Sequence, residues 1–287
     1  MKRWLFFLIL LMLRLSVLGQ VKSNNLPEYG IVLSGGGALG YAHVGVLMAL
    51  EEAGITASVV SGASMGALVG ALYAYGCSPQ EMINILEHEK LYKKSKIFTI
   101  RLLNKKGLST HKKLEKILNK ILPVDSFDSL NLFFAVSMTN LIELKTEYAF
   151  SGNKLKEKIM ASATIPSLFE PKEIDGIVYI DGGVTNNIPI EPIIGKCEKI
   201  IIVDVLAAGY KNDISGRVKI AYRGYLAMMK QANIDRINQA DYYVGLEKLE
   251  KYNIFDFAKY KEIIKIGYDG MKEFLRQHSE LINTPQR

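Results

Sequence analysis

Ser64 stands at the centre of Gly62-Ala63-Ser64-Met65-Gly66, a G-x-S-x-G pattern between a short apolar run (residues 58–61) and a helical stretch that begins at Met65. In a strand–turn–helix setting this pattern makes a sharp turn that exposes the serine hydroxyl, with glycines where side chains would clash. A serine that attacks an ester carbonyl leaves negative charge on oxygen, which calls for preorganised N–H donors. Thirty residues earlier, Ser34-Gly35-Gly36-Gly37-Ala38-Leu39-Gly40 follows an apolar strand and opens a helical pattern. Gly35, Gly36 and Gly37 offer backbone N–H groups with no side chains in the way, and a helix N-terminus adds a favourable field.

The residues from Gly35 to Gly40 also fit G-x-G-x-x-G, the dinucleotide pattern. That reading requires an acid at the end of the second strand to hold a ribose hydroxyl. Here the second strand runs into Ser61-Gly62-Ala63-Ser64, and Glu51 and Glu52 sit on the preceding helix. A phosphate-binding P-loop is excluded as well, because no Gly-Lys-Ser/Thr follows. The glycine loop reads better as an oxyanion hole than as a pyrophosphate cradle.

A serine nucleophile needs a base. The chain has four histidines: His43, His88, His111 and His278. Only His278 follows every candidate acid, as an α/β-hydrolase triad would require, and it lies in a polar tail. His43 lies one turn into the glycine-loop helix and reads as structural or supporting. The alternative base is a carboxylate. In Tyr179-Ile180-Asp181-Gly182-Gly183 an apolar strand delivers Asp181 into a Gly-Gly turn, while Asp204 in Ile201-Ile202-Val203-Asp204-Val205 is a rival at another strand end. Asp175-Gly176 reads as a hairpin turn. Local sequence favours Asp181 and leaves Asp204 open.

Positioning these groups takes alternating strands and helices. Strands are expected over 31–34, 58–61, 132–138 and 199–205, and helices over 39–53 (closed by Gly54), 65–75 (closed by Gly76) and 154–163, with another started by Ser78-Pro79-Gln80-Glu81. Residues 217–240 read as a long amphipathic helix, 241–246 as a short strand and 254–277 as mostly helical. This alternation predicts an α/β fold, with a mostly parallel central sheet flanked by helices in three layers. Residues 29–195 carry the core, and 196–287 are expected to complete the same domain.

The chain has 287 residues, 49% hydrophobic and 23% charged, enough to bury a substantial core without staples. Lys2 and Arg3 precede an apolar run over 4–13, and small residues follow near position 19. Residues 1–19 therefore read as a secretory signal peptide, with 20–28 as a short linker and an uncleaved membrane anchor as the alternative. No Cys stands where a lipoprotein anchor would need one. Removing the leader lowers the net charge from +7 to +4, with 33 basic against 29 acidic residues. That balance does not demand a nucleic-acid partner, and no recognition motif for one is present. Cys77 and Cys197 are too few for a disulfide framework. Residues 90–120 hold eleven Lys/Arg and one acid, Glu115, interleaved with Leu, Ile, Phe and Tyr. Besides a solvated insertion, this composition suits a basic amphipathic flap against anionic lipid.

Together, SGGGALG, GASMG and DGG resemble the three motifs of the patatin-like phospholipase family. AHVGVLMALEEAGI, ASATIPSLFEP and DGGVTNNIPI are similar to the text around them in bacterial members. The resemblance covers about residues 29–195. It implies a patatin-like α/β architecture and a Ser-Asp dyad with no histidine, cleaving acyl esters of lipids or phospholipids without metal or organic cofactor. Carried onto this chain, it makes Ser64 the nucleophile and Asp181 the general base, settling Asp181 over Asp204 by similarity. Gly35, Gly36 and Gly37 become the oxyanion hole, with Gly40, Gly62, Gly66, Gly182 and Gly183 as motif glycines. Family members commonly carry Arg or Lys where this chain has Leu39. Phospholipase A-like hydrolysis is the expectation, with general carboxylesterase or lysophospholipase activity, or a non-catalytic lipid-binding role, as alternatives. The resemblance and the leader together imply an exported or envelope protein.

Overall fold

A computed structural model describes residues 26–98, 107, 109–208 and 217–282. The expected leader over 1–19, most of the expected linker, and part of the basic segment (99–106 and 108) lie outside the described residues. In chain order the strands and helices are β1 (Tyr29–Leu33), α1 (Ala42–Glu52), β2 (Ala57–Gly62), α2 (Met65–Tyr75), α3 (Pro79–His88), α4 (Lys94–Ile97), α5 (Lys112–Ile121), β3 (Phe133–Asn140), β4 (Lys145–Ala149), α6 (Leu155–Ser162), β5 (Lys172–Ile174), β6 (Ile177–Asp181), β7 (Lys199–Asp204), α7 (Arg217–Ile237), β8 (Tyr242–Gly245) and α8 (Tyr260–Gln277).

The strands form one mixed sheet, hydrogen-bonded in the order β5-β6-β3-β2-β1-β7-β8, with β4 also on β3. Its centre is parallel: β1 pairs with β2 and β7, β2 with β3, and β7 with β8. The predicted fold class is what the chain adopts. Period-two alternation sorts the central strands onto two faces. Ile31, Leu33, Ile201 and Val203 join the larger core. Val32, Ile200 and Ile202 join a smaller one with Ile188, Ile190 and Ile193. Helices α1, α2 and α8 cover the first face; the stretch through 186–197 and the end of α7 cover the second.

Local chemistry explains the boundaries. Ser78 caps α3 through a complete capping box with Glu81, with Pro79 at the first helical position. Gly54 and Gly76 take left-handed conformations after α1 and α2, at φ 73° and 107°. Asp175 and Gly176, at φ 53° and 80°, make the tight turn between β5 and β6.

The registers of β3 bring the site together. Val136 pairs with Gly62 of β2 and Ala149 of β4, so these two strands lie on opposite edges of β3. Met138 pairs with Glu147 of β4 and Asp181 of β6, so β6 also lies opposite β4. Strands β2 and β6 therefore share one edge of β3, the first running parallel to it and the second antiparallel. Their C-terminal ends meet head to head, two positions apart along β3.

Candidate active site

Ser64 follows β2 by two residues and caps α2 at φ 52° and ψ −121°. This conformation is strained for a residue with a side chain, costing on the order of 1–3 kcal/mol, and it turns Oγ toward the neighbouring strand end. The surroundings fix it from several directions. Ser64 N–H donates to Ser162 Oγ at 2.9 Å, and Ala63 N–H donates to the Leu33 carbonyl at 3.2 Å. Gly66 lies so close beneath β1 that a Cβ there would fall 2.1 Å from the Leu33 oxygen.

Asp181 ends β6 and caps the short 3-10 turn Gly182–Val184. Its Oδ1 accepts from Gly183 N–H at 2.8 Å, and its Oδ2 accepts from Ser64 Oγ at 2.7 Å. Its backbone is held too: Asp181 N–H donates to the Thr164 carbonyl at 2.9 Å, and Thr139 Oγ1 donates to the Asp181 carbonyl at 2.8 Å. Burial pushes the Asp181 carboxyl up from 3.8 to about 6, against the opposing pull of its hydrogen bonds from Ser64 and Gly183. The result is a carboxylate ionised at neutral pH and more basic than an exposed one.

The rival acid stands elsewhere. Asp204 Oδ1 accepts from Leu206 N–H at 2.8 Å and Oδ2 from the Tyr243 hydroxyl at 3.0 Å, so both oxygens are engaged away from Ser64. The histidines are also committed. His43 Nε2 donates to the Ser34 carbonyl at 2.8 Å, and full burial pushes its pKa down to about 4. A neutral imidazole that spends its N–H on the root of the glycine loop serves as a brace. His111 bonds to Thr164, His278 to the Phe274 carbonyl, and His88 pairs with Glu89.

The glycine loop hangs from β7. Ser34 N–H donates to the Val203 carbonyl, and Val205 N–H donates to Ser34 Oγ. Gly37, at φ 56°, leads into a 3-10 turn (Gly37–Tyr41) before α1, so the expected helix from residue 39 starts in a tighter form. A side chain at Gly37 would be strained by that φ and would meet the Ile254 carbonyl at 2.5 Å. Ala38 N–H is taken by that same carbonyl and Leu39 N–H by the Gly36 carbonyl. Among the described residues no protein acceptor takes the N–H of Gly36 or Gly37, and both residues line the cavity over Ser64. Gly35 does not line it; it packs between Ser64 Cβ and Asn187. Leu39 is buried in the main core.

Two cavities meet at Ser64. One, of about 230 Å³, is bounded by Gly36, Gly37, Asp181, Asn187, Tyr225 and Met229 among others. The second, of about 80 Å³, is almost wholly apolar and runs between Leu68, Leu91, Phe98, Leu114, Ile159 and Ala163. The basic segment thus turns its apolar residues inward, toward Ser64. Cys77 and Cys197 are both free.

Sequence reasoning missed several supports. Asn187 Nδ2 donates to the Gly35 carbonyl at 3.3 Å, and the Tyr225 hydroxyl donates to the Gly183 carbonyl at 2.8 Å. Ser162 holds the Ser64 backbone. A signal existed for Asn187: two adjacent asparagines, 1% and 2% exposed, precede a fully buried Ile188. Asn–Asn before an apolar run marks polar groups that must be satisfied inside.

Comparison with known proteins agrees with this architecture. Lysophospholipase NTE1 of Coccidioides immitis is 27% identical over 283 residues, covering 86% of this chain and 17% of that protein. An uncharacterized NTE family protein of Mycobacterium bovis is 31% identical over 180 residues, covering 61% of this chain and 48% of its own length. The chain thus spans less than half the length of these relatives. Among solved structures, VipD of Legionella pneumophila shares the fold at a TM-score of 0.51, with 17% identity over 88% of this chain and 67% of that one. The profile described as patatin-like phospholipase matches residues 31–194, more than half of the chain, and the protein belongs to that family.

Proposed function

We propose that this protein is a lipid acyl hydrolase acting through a Ser64–Asp181 dyad. The observation that carries the proposal is the 2.7 Å hydrogen bond from Ser64 Oγ to an Asp181 carboxylate whose burial raises it to about 6. In the first half-reaction Ser64 Oγ attacks the ester carbonyl carbon while its proton passes to Asp181. The carbonyl oxygen takes the negative charge and is met by the N–H groups of Gly36 and Gly37, which no acceptor takes among the described residues. As the tetrahedral intermediate collapses, the bond to the alcohol oxygen breaks, and Asp181 returns the proton to that leaving group. Water then attacks the acyl carbon and gives its proton to Asp181; Ser64 Oγ leaves, regains the proton, and the fatty acid is released.

The cavities support lipid substrates. The apolar one next to Ser64 accommodates the start of an acyl chain, and the larger one gives the alcohol side room beyond the ester. The NTE1 relatives are named lysophospholipases, which favours an ester with one acyl chain. In this reading Lys93, Lys94, Lys96, Lys112 and Lys116, all exposed around the apolar cavity's outer wall, draw the enzyme to anionic membrane surfaces. The basic-then-apolar pattern over 1–19 supports export through a signal peptide as part of this proposal, with an N-terminal membrane anchor as the alternative.

Hydrolysis of a short p-nitrophenyl ester and of a lysophospholipid by wild type, Ser64→Ala and Asp181→Asn tests the dyad. Both variants should lose at least 100-fold in kcat/KM on both substrates. Retention of near wild-type turnover by either variant overturns the assignment.

A further inference from the structure

The turn between β3 and β4, over residues 141–144, carries three aliphatic side chains that join neither core. Ile142 and Leu144 are 64% and 76% exposed, and Leu141 is exposed as well. Apolar residues scattered singly over a surface are ordinary. Three within four consecutive residues, at the tip of a hairpin, are not scattered.

The backbone of this turn is held firmly. Leu141 N–H donates to the Val178 carbonyl of β6 at 2.9 Å. Asn140, buried at the end of β3, accepts through Oδ1 from Ile142 N–H at 2.8 Å and Glu143 N–H at 3.1 Å. Its Nδ2 donates to Glu147 Oε1 of β4 at 2.8 Å. Leu144 closes the turn at φ 54°. Hairpin turns often end on a left-handed residue, a place that glycine or asparagine fills without strain and a bulky side chain does not. Leucine at this position gains no burial to offset the strain, so its side chain has no use inside the fold.

Topology says where the tip points. Strand β3 runs parallel to β2, and its Met138 pairs with Asp181. The turn begins three residues beyond that pair, about 10 Å farther along the strand at ~3.3 Å per residue. Gly36 and Gly37 follow β1, Ser64 follows β2 and Leu206 follows β7, so the Ser64 cleft is built at the C-terminal ends of the parallel strands. The tip stands at the same end of the sheet, beyond the end of β3.

Size and charge decide what meets it. A specific protein partner covers about 800 Å² on each side, and a convex tip with a few aliphatic side chains offers a fraction of that. A bilayer needs no matching surface, since binding at the boundary of headgroups and hydrocarbon scales with the apolar area it takes in. Glu143 pairs with Lys145, so the charges of the tip cancel and attraction to an anionic surface is not what it provides.

We propose that the 141–144 turn is an interfacial anchor: Ile142 and Leu144 dip into a lipid surface and hold the end of the sheet that bears Ser64 against it. The anchor goes beyond the hydrolase reading, and it adds to the lysines around the apolar cavity a contact that depends on hydrocarbon and not on charge.

The binding test uses Ser64→Ala protein and vesicles of phosphatidylcholine alone, at low and high salt. The parent should bind at both, and Ile142→Ser/Leu144→Asn on this background should bind at least tenfold more weakly at both. Asparagine tolerates the left-handed backbone, so the melting temperature should stay level or rise, which separates lost anchoring from misfolding. Binding within twofold of the parent, or parent binding that high salt abolishes, overturns the anchor. A second arm places a reporter with Ile142→Trp, read against the parent chain and its single Trp4. Brominated phosphatidylcholine should quench the added fluorescence, and an unquenched tryptophan on bound vesicles overturns the proposal. If the double substitution instead removes a concentration-dependent dimer in sedimentation and spares vesicle binding, the tip joins copies of this chain and the anchor falls.

With Ser64 intact, the double substitution should match wild type on a soluble p-nitrophenyl ester. On 1-palmitoyl lysophosphatidylcholine carried in vesicles, its kcat/KM should fall at least fivefold; an unchanged value counts against the anchor. A wild type that cleaves no ester yet binds vesicles through the tip refutes the hydrolase reading and leaves the anchor standing.

Discussion

Replacing Asp181 with Asn should abolish catalysis and stabilise the fold, and the size of the second effect follows from the site. Burial raises the Asp181 pKa from 3.8 to about 6. Each pKa unit is worth about 1.4 kcal/mol, so the ionised carboxylate costs on the order of 3 kcal/mol in the folded state. The sign follows from proton counting. Because the folded pKa lies above the unfolded one, the native state binds the extra proton between about pH 4 and 6. The stability contribution of the neutral carboxyl is present below pH 4 and is lost as pH rises through 6. Asparagine has the same shape and carries no charge. Its Oδ1 can keep the bond from Gly183 N–H, and its Nδ2 can donate to Ser64 Oγ, so both hydrogen bonds persist with one reversed.

Urea unfolding of wild type and Asp181→Asn at half-unit steps from pH 4 to 8 reads this out. The variant should gain relative to wild type as pH rises, reaching about 3 kcal/mol above pH 7, while ester hydrolysis falls at least 100-fold. A stability difference that stays flat across this range, or a variant less stable than wild type at pH 7.5, would refute the desolvation argument.

Other outcomes follow from the same geometry. For a soluble ester, kcat/KM should rise about tenfold per pH unit up to an apparent pKa near 6 and then level off; a profile still rising through pH 8 would point to another base. Gly37→Ala forces a side chain onto a φ of 56° against the Ile254 carbonyl, so activity should drop at least 100-fold through the displaced N–H donors, and an active variant would remove Gly37 from the oxyanion hole. Ala163→Phe fills the apolar cavity, and turnover of a palmitoyl ester relative to a butyryl ester should fall about tenfold; an unchanged chain-length profile would place the acyl chain elsewhere. Converting Lys93, Lys94, Lys96 and Lys116 to Glu should weaken sedimentation with anionic vesicles severalfold and spare a soluble ester, whereas unchanged vesicle binding would end the membrane-contact reading.

The parts legible in the sequence are those whose chemistry is local. Ser64 and the glycines at 62 and 66 announce themselves because a strained turn tolerates few alternatives. Asp181 and Asp204 could not be told apart on local grounds, since both end buried strands. What separates them is non-local: β6 runs antiparallel along the edge of β3 that β2 has just vacated, while β7 lies on the far side of β1. Residues 217–240 were expected to form an amphipathic helix, and α7 does form, over Arg217–Ile237. Its buried positions are Leu226, Met229 and Asn233, so one polar side chain sits among the apolar ones and blurs the periodicity that would mark the inward face. The apolar residues of the basic segment were visible as an interleaved pattern, but their convergence on Ser64 depends on α6 and on Phe169 from a distant part of the chain.

In the proposed reaction a two-residue dyad suffices because the fold supplies what a histidine would otherwise provide. An exposed aspartate, with a pKa near 4, is a weak base at neutral pH, and an imidazole gains two to three units of basicity over it. Asp181 recovers most of that difference by burial, and it is held in line by Gly183 N–H on one oxygen and Ser64 on the other. A carboxylate in such a site needs no third group to select a tautomer, so the orienting acid of a triad has no counterpart to orient. The requirement passes instead to the backbone. The end of β6 must stay fixed against β3, which Thr139 and Thr164 enforce through the Asp181 carbonyl and N–H. Catalysis and stability therefore oppose one another at a single carboxyl group: the desolvation that makes Asp181 basic also destabilises the fold that holds it. Loosening the packing to admit water would relieve the second at the expense of the first, which is why the head-to-head meeting of β2 and β6 has to be rigid.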